Sequence, residues 1–289
     1  MPLSYDCKRF ILGAGESKLT ETGDGLIIPQ ILYKYRPSNR WAKELIETGG
    51  IRFSVLQELN DALEGAISVS ASSPQDFTLI RSQLFEQAKK KWPHQSDEEN
   101  LRVSLVVASA RRDMLIEGTA TAFENRLKGE RNSQAAVLCL TERCDNLPMW
   151  TYYADECRGV CIGLRTSDRV LRGIKPVRYA EDAISYDAAR VITDESFRNE
   201  APWLNTKSAE LEHEREWRKI AFSGSPLVRR TSRTSLAEVI LGPKMPLPER
   251  EQYRRLLENR NVQLFEAIAD AKTRRIVVKS IPKHEALYR

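Results

Sequence analysis

The chain has 289 residues, of which 41% are apolar and 29% are charged, and its formal net charge is +5. This composition excludes an intrinsically disordered chain, and no apolar run approaches the roughly 20 residues that a membrane helix needs. The mild basic excess permits a nucleic-acid partner without requiring one. The first residues do not resemble a signal peptide, and five cysteines, an odd number, favour reduced thiols in a cytoplasmic protein.

The first half of the chain is predicted to hold two strands and three helices after an irregular N-terminal arm over residues 1–30. A strand is expected from Ile31 to Arg36, where Pro37 ends it because proline cannot donate to a sheet ladder. Ser38 then caps a helix that ends at Gly49-Gly50. The remaining elements are a strand over 51–55, an amphipathic helix over 75–91 and a long helical stretch from a Ser96–Glu99 capping box to about Leu127.

After residue 130 the sequence changes to short apolar runs separated by polar turns, which is typical of strands. Strands are predicted over 135–141, 159–164, 174–179, 216–222, 236–241, 262–268 and 275–281. Helices are predicted over 182–198, 204–213 and 248–260. We therefore expect a single α/β (α+β) domain over residues 31–289, built on a mixed, largely antiparallel sheet with a helical insertion at about 75–128. One domain is favoured because the motifs that carry the candidate site flank the insertion and would need to meet.

Four of the cysteines lie near one another in sequence, which raises the question of a zinc site. Two of them fall inside apolar runs, and the spacing of the four does not give the two tight ligand pairs of a zinc knuckle. We therefore predict buried structural thiols and no metal site at Cys139, Cys144, Cys157 and Cys161.

Four short motifs carry the candidate site residues. They are Leu-Tyr-Lys-Tyr-Arg-Pro at 32–37, Leu-Asn-Asp-Ala-Leu-Glu at 59–64, Met-Trp-Thr-Tyr-Tyr-Ala at 149–154 and Glu-Arg-Glu-Trp-Arg at 214–218. Hydrophobic burial alone would not select aromatic rings, an arginine fork, an Asn-Asp pair and paired carboxylates together. This combination is typical of a pocket for a polar, ring-bearing ligand.

The first motif predicts a strand in which Tyr33 and Tyr35 face one way while Lys34 and Arg36 face the other. One interpretation is a stacking platform beside an arginine that pairs with a phosphate or a carboxylate. The other is an ordinary strand with buried rings and solvated charges. For this motif alone, the second interpretation is favoured.

The second motif places Asn60 and Asp61 in a polar loop after a strand. Both residue types form turns, so a local Asx turn is the simpler interpretation. A buried Asn-Asp pair that orients an arginine or a ribose is the alternative. Taken alone, the motif favours the turn.

The third motif packs three large rings, those of Trp150, Tyr152 and Tyr153, into four residues just before a strand. Rings at this density suit stacking on a nucleobase or on nicotinamide. They suit a layer of the hydrophobic core equally well, so both interpretations stay open.

The fourth motif is the most specific. In a strand, Glu214, Glu216 and Arg218 share one face while Arg215 and Trp217 take the other. Neighbouring carboxylates repel each other and are costly unless a positive group neutralises them, a cost that catalytic sites accept. The alternative is a solvated, charged edge of the sheet.

In this order, the four motifs resemble those of a bacterial family known only as domain of unknown function 2971. Its members show a YKYR strand, an N-D-P-x-E turn, an M-W-x-x-Y-A segment that leads into a glycine and a strand, and a closing E-x-E-W-R. The resemblance covers roughly residues 31–245, with a further similarity at 238–242. Two positions depart from the pattern: Ala62 replaces the usual proline, and Cys157 stands where a histidine often precedes the glycine, here Gly159.

The pattern is also similar to the three-part layout of ADP-ribosyltransferases, in which an Arg- or Tyr-bearing strand, an aromatic middle motif and a late glutamate-bearing strand follow one another. Residues 236–241, with two prolines after them, look like the glutamate-bearing strand of nucleic-acid-modifying toxins of that superfamily. The resemblance implies NAD as the cofactor and a carboxylate, Glu216 or Glu238, that stabilises the positive charge developing on the ribose. The arginine-rich context favours Glu216, whereas Glu238 fits the strand pattern of the superfamily better, and the sequence does not separate them.

The same resemblance implies a set of cofactor-binding residues. Arg36 would hold a diphosphate oxygen, and Tyr35, Trp150 and Tyr153 would sandwich the nicotinamide or the adenine. The other implied members of the set are Tyr33, Asn60, Asp61 and Arg218.

The sequence thus predicts an NAD-dependent ADP-ribosyltransferase that modifies nucleic acid or protein, as a toxin or phage-defence effector. A cognate antitoxin stays open as a partner. No membrane partner is expected, and the oligomeric state stays open. Two alternatives stay open as well. One is a nucleotide- or nucleic-acid-binding module without catalysis. The other is a Mg²⁺-dependent, nuclease-like hydrolase that uses Asp61, Glu64, Glu214 and Glu216.

Overall fold

The computed structural model describes residues 20–21, 27–70, 74–112, 124–125, 127–182, 184–187 and 194–281. By its internal contacts the chain divides into two compact units. The first unit comprises Met1–Ser54, Ala136–Val177 and Leu211–Arg289, and the second comprises Val55–Ala135 and Arg178–Glu210. The interpretation as a single domain stays a prediction.

The helices and strands fall into two series along the chain. Up to residue 141 they are β1 (Thr20–Glu21), β2 (Ile27–Ile28), β3 (Ile31–Arg36), α1 (Arg40–Thr48), β4 (Gly50–Val55), β5 (Ser68–Ser70), α2 (Pro74–Lys91), α3 (Asp97–Arg112) and β6 (Ala135–Thr141). After it come α4 (Leu147–Tyr153), β7 (Val160–Arg165), β8 (Lys175–Pro176), β9 (Arg178–Ala180), β10 (Ser185–Asp187), α5 (Glu195–Glu200), β11 (Thr206–Ser208), β12 (Glu216–Phe222), β13 (Leu227–Arg230), β14 (Leu236–Leu241), α6 (Leu247–Leu257), β15 (Gln263–Asp270) and β16 (Arg275–Ser280). Short 3₁₀ turns cover Leu56–Glu58, Arg169–Leu171, Pro202–Asn205 and Ala209–Glu214, and a π-helical turn covers Lys128–Asn132.

The first unit is built on a ten-stranded sheet with the order β13-β4-β6-β3-β7-β14-β15-β16, in which β12 pairs with β6 and β8. Strand β14 runs parallel to β15, whereas β3, β7, β13 and β16 pair with their neighbours in antiparallel fashion. The predicted α+β fold with a mixed, largely antiparallel sheet is therefore confirmed.

Both faces of this sheet are covered, because alternate residues of the central strands belong to two different cores. On the face that we call the first, Leu32, Leu164 and Leu236 lie side by side on β3, β7 and β14, and helices α1 and α6 pack there. On the second face, Tyr35, Cys161 and Ile240 lie side by side on the same three strands, and Trp150 of α4 packs there. The central strands are thus buried on both sides.

The second unit holds the two helices α2 and α3, which pack on each other, and two short parallel strand pairs, β5 with β10 and β9 with β11. Tyr186, Phe197 and Trp203 form a cluster of rings whose centroids lie 5.1 to 6.4 Å apart. Trp203 Nε1 also donates a hydrogen bond of 3.2 Å to Asn132 Oδ1. The predicted helical insertion at about 75–128 falls within this unit.

Several predicted elements are confirmed to within one or two residues, among them β3, β6, β12, β14 and helix α2. The capping box is confirmed as well: Glu99 N donates to Ser96 Oγ, and Ser96 N donates to Glu99 Oε2. The helix that it opens is described to Arg112, and most of the predicted continuation to Leu127 lies outside the described residues. Most of the N-terminal arm lies outside them too.

Three sequence predictions are wrong. The cap of α1 is Asn39 rather than Ser38, because Asn39 Oδ1 accepts from the backbone of Trp41 and Ala42. The predicted helix over 182–198 contains strand β10, which pairs with β5 more than a hundred residues away, so a non-local pairing overrides the local helical pattern. Likewise, the predicted helix over 204–213 is a strand, β11, followed by the 3₁₀ turn Ala209–Glu214.

Candidate functional site

The first motif lies on β3, near the middle of the sheet. All six residues of β3 pair with β7, whereas the register with β6 consists of one pair, Tyr33 opposite Thr141. Beyond that pair a side chain joins the two strands: Lys34 Nζ donates a hydrogen bond of 2.7 Å to the backbone oxygen of Cys139 on β6. The β3–β6 seam, as we call this line of contact, thus has one residue pair and the Lys34 hydrogen bond, and Tyr35 Oη donates a hydrogen bond of 3.0 Å to the backbone oxygen of Arg143 just beyond β6.

The rings of the first and third motifs pack on each other. Trp150 lies on α4, which Asn146 caps and which the sequence analysis did not predict. The rings of Tyr35 and Trp150 meet edge to face, with centroids 5.1 Å apart. Trp150 is 0% exposed and Tyr35 is 4% exposed, so in this structure both rings belong to the core of the second face. Their stacking on a ligand stays a prediction.

The third and fourth motifs also meet. Tyr153 Oη donates a hydrogen bond of 2.7 Å to Glu214 Oε1, and Thr141 Oγ1 donates one of 2.6 Å to the backbone oxygen of Glu214. Glu214 ends a 3₁₀ turn, and Arg215 has a φ of 47°, so the fourth motif enters strand β12 only at Glu216. The structure thus brings three of the four motifs together within the first unit.

Glu216 and Arg218 form a buried ion pair. Arg218 Nε lies 2.6 Å from Glu216 Oε1, and Nη2 lies 3.3 Å from Oε2. The exposed fractions of the two side chains are 1% for Arg218 and 6% for Glu216. The solvated, charged edge that the sequence left open is therefore not what these two residues form. Both carboxylate oxygens of Glu216 are engaged by the guanidinium.

Two further titratable groups, the half-buried Cys139 and Lys34, lie near this ion pair. Burial and then the Glu216 carboxylate raise the pKa of the Cys139 thiol to about 12, so the thiol stays protonated and unreactive near neutral pH. Burial and then the neighbouring Arg36 lower the pKa of Lys34 to about 8, against opposing contributions from Cys139, Glu216 and Glu214. At the β3–β6 seam, burial of the charged Lys34 ammonium group therefore lowers the stability of the folded state.

Replacing Lys34 by methionine is expected to reveal this cost as a pH-dependent gain in stability. Below pH 8 the lysine is charged in both the folded and the unfolded states. The unfavourable free energy of the charged lysine in the folded state then lowers stability in full. Between the folded pKa of about 8 and the ordinary lysine pKa of 10.5, the folded protein loses the proton first, so this contribution to stability rises with pH. The advantage of Lys34→Met over wild type should shrink by about 3 kcal/mol between pH 7 and pH 10.5.

Urea unfolding across this pH range measures the effect. The control variant, Lys244→Met, removes an exposed lysine of the same unit and should follow the wild-type pH profile. An advantage of Lys34→Met that is the same at every pH would contradict the assigned cost.

Glu238 occupies a distinct position on the second face. Tyr33, Gly163 and Glu238 lie side by side on β3, β7 and β14. A Cβ atom on Gly163 would lie 2.6 Å from Glu238 Cγ, so the glutamate side chain lies directly across the glycine. The register of β14 shifts between Leu236 and Glu238, and this β-bulge puts the two residues on opposite faces although they are two apart. Without the shift, Glu238 would share a face with Leu236.

Several arginine side chains lie close together at the end of β3. The Arg36 Nε atom is buried and has no hydrogen-bond partner among the described residues. Burial and then Arg52 lower the pKa of the Arg36 guanidinium. The guanidinium carbons of Arg40 and Arg52 lie 4.5 and 5.3 Å from the centroid of the Trp41 ring. We call Arg36, Arg40, Trp41 and Arg52 the arginine cluster.

The second motif lies in the second unit. The backbone N–H of Leu63 donates a hydrogen bond of 2.9 Å to Asp61 Oδ1, which confirms the Asx turn. Asn60 is exposed and Asp61 is half-buried. The roles predicted for these two residues in cofactor binding stay predictions.

Sequence reasoning missed the structural role of Gly163 and the contribution of Arg52. A glycine inside an otherwise apolar strand signals that another group approaches the backbone closely, which was readable from the run at 159–164. Nothing in the local sequence marks Arg52, because it reaches Arg36 through the arrangement of the sheet.

Within the described ranges, no three His, Cys, Asp or Glu side chains lie close enough together to hold a metal ion. Over those same residues, no helix is long and apolar enough to cross a membrane. No family model, no curated protein and no solved structure matches the chain.

Proposed function

We propose that this chain is an NAD-dependent ADP-ribosyltransferase that modifies nucleic acid or protein, as a toxin or phage-defence effector. What supports the proposal most directly is the buried Arg36 Nε, which has no acceptor among the described residues. A buried donor without a partner costs about 1–3 kcal/mol, so an acceptor that a bound ligand supplies there would stabilise the protein. Arg52 beside it adds a second positive charge to the same place.

The arginine cluster fits the diphosphate of a dinucleotide. Neither Arg36 nor Arg40 has an ion pair within the described part of the chain, so an anionic ligand would meet positive charge that no carboxylate neutralises. A diphosphate oxygen would satisfy Arg36 Nε and offset the repulsion between Arg36 and Arg52. When bound, NAD supplies the ADP-ribosyl group through its reactive nicotinamide–ribose bond.

Between the two candidate carboxylates, the geometry favours Glu238. Both oxygens of Glu216 accept from Arg218, which assigns Glu216 to a buried structural pair. Glu238 is turned to the second face by a β-bulge, a feature that often re-aims side chains next to active sites. It lies on the same face as Tyr33 and Tyr35, where its charge would orient a ribose and stabilise positive charge on it. The arginine cluster lies at the end of β3 beside α1, which packs on the first face, so one NAD molecule would have to pass around the end of β3 to contact both groups.

Glu238→Gln is expected to lower nicotinamide release by about 10²–10³-fold, because the amide keeps the shape of the side chain and removes its charge. The assay uses adenine-labelled NAD with a cell lysate as the source of acceptor. Glu249→Gln on α6 is the matched control and should leave the rate unchanged. Transfer of label to RNase-, DNase- or protease-sensitive material would identify the class of acceptor.

Two results would contradict these assignments. Full activity in Glu238→Gln together with loss in a folded Glu216→Gln would return the catalytic role to Glu216. Absence of release by wild type with any lysate would reject the transferase.

The arginine cluster also favours a second candidate, a module that binds a nucleotide without catalysis. NAD that raises the melting temperature, with no nicotinamide release, would support this candidate. In that case the increase should be absent in Arg36→Gln.

A further inference from the structure

A groove opens at the edge of the first unit where β7 ends and where β14 and β15 begin. Its cavity volume is about 610 Å³, within the range of small-molecule sites. The charged residues that line it are Arg165, Arg233, Arg260 and Glu47. We call it the basic groove, since three guanidinium groups face one carboxylate.

The positive charge of the basic groove is largely available to a ligand. Arg165 and Arg233 are exposed, and neither has an ion pair within the described ranges. Strand β13 leads into the loop that carries Arg233, and its last two residues, Arg229 and Arg230, are exposed as well. Two further exposed arginines therefore lie at the end of β13, a few residues before Arg233.

The basic groove is separate from the proposed NAD site. Leu236, which lines the groove, belongs to the core of the first face, whereas the β-bulge places Glu238 on the second face. None of the four residues of the arginine cluster lines the groove. A ligand bound in it would thus contact residues that the proposed function does not use.

The lining residues suit a nucleotide in particular. Arginine binds phosphate through a planar fork, and the side-chain amides of Asn259 and Asn261 offer donors and acceptors of the kind that read base edges. Leu236, Leu256 and Val262 supply apolar surface. Arginines on an edge strand also prevent strand pairing between molecules, but Arg165 ends an interior strand and has no such role.

We propose that the basic groove is a second binding site, for a phosphate-bearing nucleotide, either free or as one unit of a single strand. A base-paired duplex does not fit this proposal, because its stacked bases cannot enter a pocket unless they are flipped out.

The test compares a charge-reversed groove with a matched control. Arg165→Glu/Arg233→Glu reverses two exposed charges of the groove. Lys272→Glu/Arg274→Glu reverses two exposed charges in the turn at the opposite end of β15. Binding of ADP is measured by calorimetry, and binding of a fluorescein-labelled single-stranded oligonucleotide is measured by anisotropy. Circular dichroism and melting temperature verify that both variants are folded.

The groove variant should bind at least one of the two probes about tenfold more weakly, while the affinity of the control should stay close to that of wild type. For the oligonucleotide, the slope of log affinity against log salt concentration should become shallower by the amount that about two lost phosphate contacts produce. Weakened binding of both probes would indicate a site for a free nucleotide. Weakened binding of the oligonucleotide alone would indicate a strand.

Three results would overturn the proposal: no binding of either probe to wild type, an equal loss in the control variant, or a loss of ADP binding in Arg36→Gln but not in the groove variant. None of these measurements depends on nicotinamide release, so the groove and the transferase can fail separately.

Discussion

Replacing Arg218 by methionine is expected to destabilise the protein by about 3–5 kcal/mol, because it leaves the Glu216 carboxylate buried without its countercharge. The Arg218 side chain is among the largest fully buried side chains. Its guanidinium group contacts the two carboxylate oxygens of Glu216 at 2.6 and 3.3 Å. The free-energy cost of removing a carboxylate from water is offset only while its positively charged partner is in place. Urea unfolding followed by tryptophan fluorescence measures the loss.

Two further variants separate the buried charge from other causes. Glu216→Gln/Arg218→Met removes both charges and should recover much of the stability, since an uncharged pair of similar size carries no ionic desolvation cost. Arg255→Met breaks an exposed pair with Glu251 and should cost less than about 1 kcal/mol. If Arg218→Met cost no more than Arg255→Met, the burial of the pair would be disproved.

Gly159→Ala is expected to destabilise the protein by about 3 kcal/mol or more, because the added methyl group has no space. A Cβ atom there would lie 2.1 Å from the backbone oxygen of Arg36 and 2.9 Å from that of Ala154. Backbone atoms cannot move aside as a flexible side chain does. Gly159 N also donates to Ala154 O, and Gly159 O accepts from Gly242 N, so α4, β3 and β14 converge on this residue.

Thermal unfolding of Gly159→Ala beside Gly129→Ala measures this effect. A Cβ atom on Gly129 would meet nothing within 4 Å, so that substitution should change stability by no more than about 0.5 kcal/mol. Near-equal melting temperatures for the two variants would contradict the close approach at Gly159. The Gly159 variant should also disturb Arg36, whose backbone it would push.

The strands that hold the site were predictable because their patterns are local. Alternating apolar residues and a terminal proline define β3, and continuous apolar runs define β6 and β14. Helix α4 could have been predicted as well, because Asn146 is a typical cap and Pro148 lies in the first turn. It was missed because the dense aromatic residues were interpreted only as a segment that precedes a strand.

Burial of charge was not predictable, because it depends on partners that are distant in sequence. On a strand, Glu216 and Arg218 have the same spacing whether the strand is an exposed edge or is covered. The face of the sheet on which Glu238 lies was not predictable either, because nothing in the local sequence marks the β-bulge that shifts the register between Leu236 and Glu238. The strand pair β5–β10 shows the same limitation, as neither strand is recognisable without the other.

The β3–β6 seam has a mechanical consequence for the first unit. Six residue pairs join β3 to β7, but one pair and the Lys34 hydrogen bond join β3 to β6. Because fewer residue pairs join the two strands here than on the other side of β3, local opening of the sheet is expected to begin along this line. Lys34 lies on that line and Arg36 ends the strand that borders it, so opening along the seam would displace both of these basic side chains.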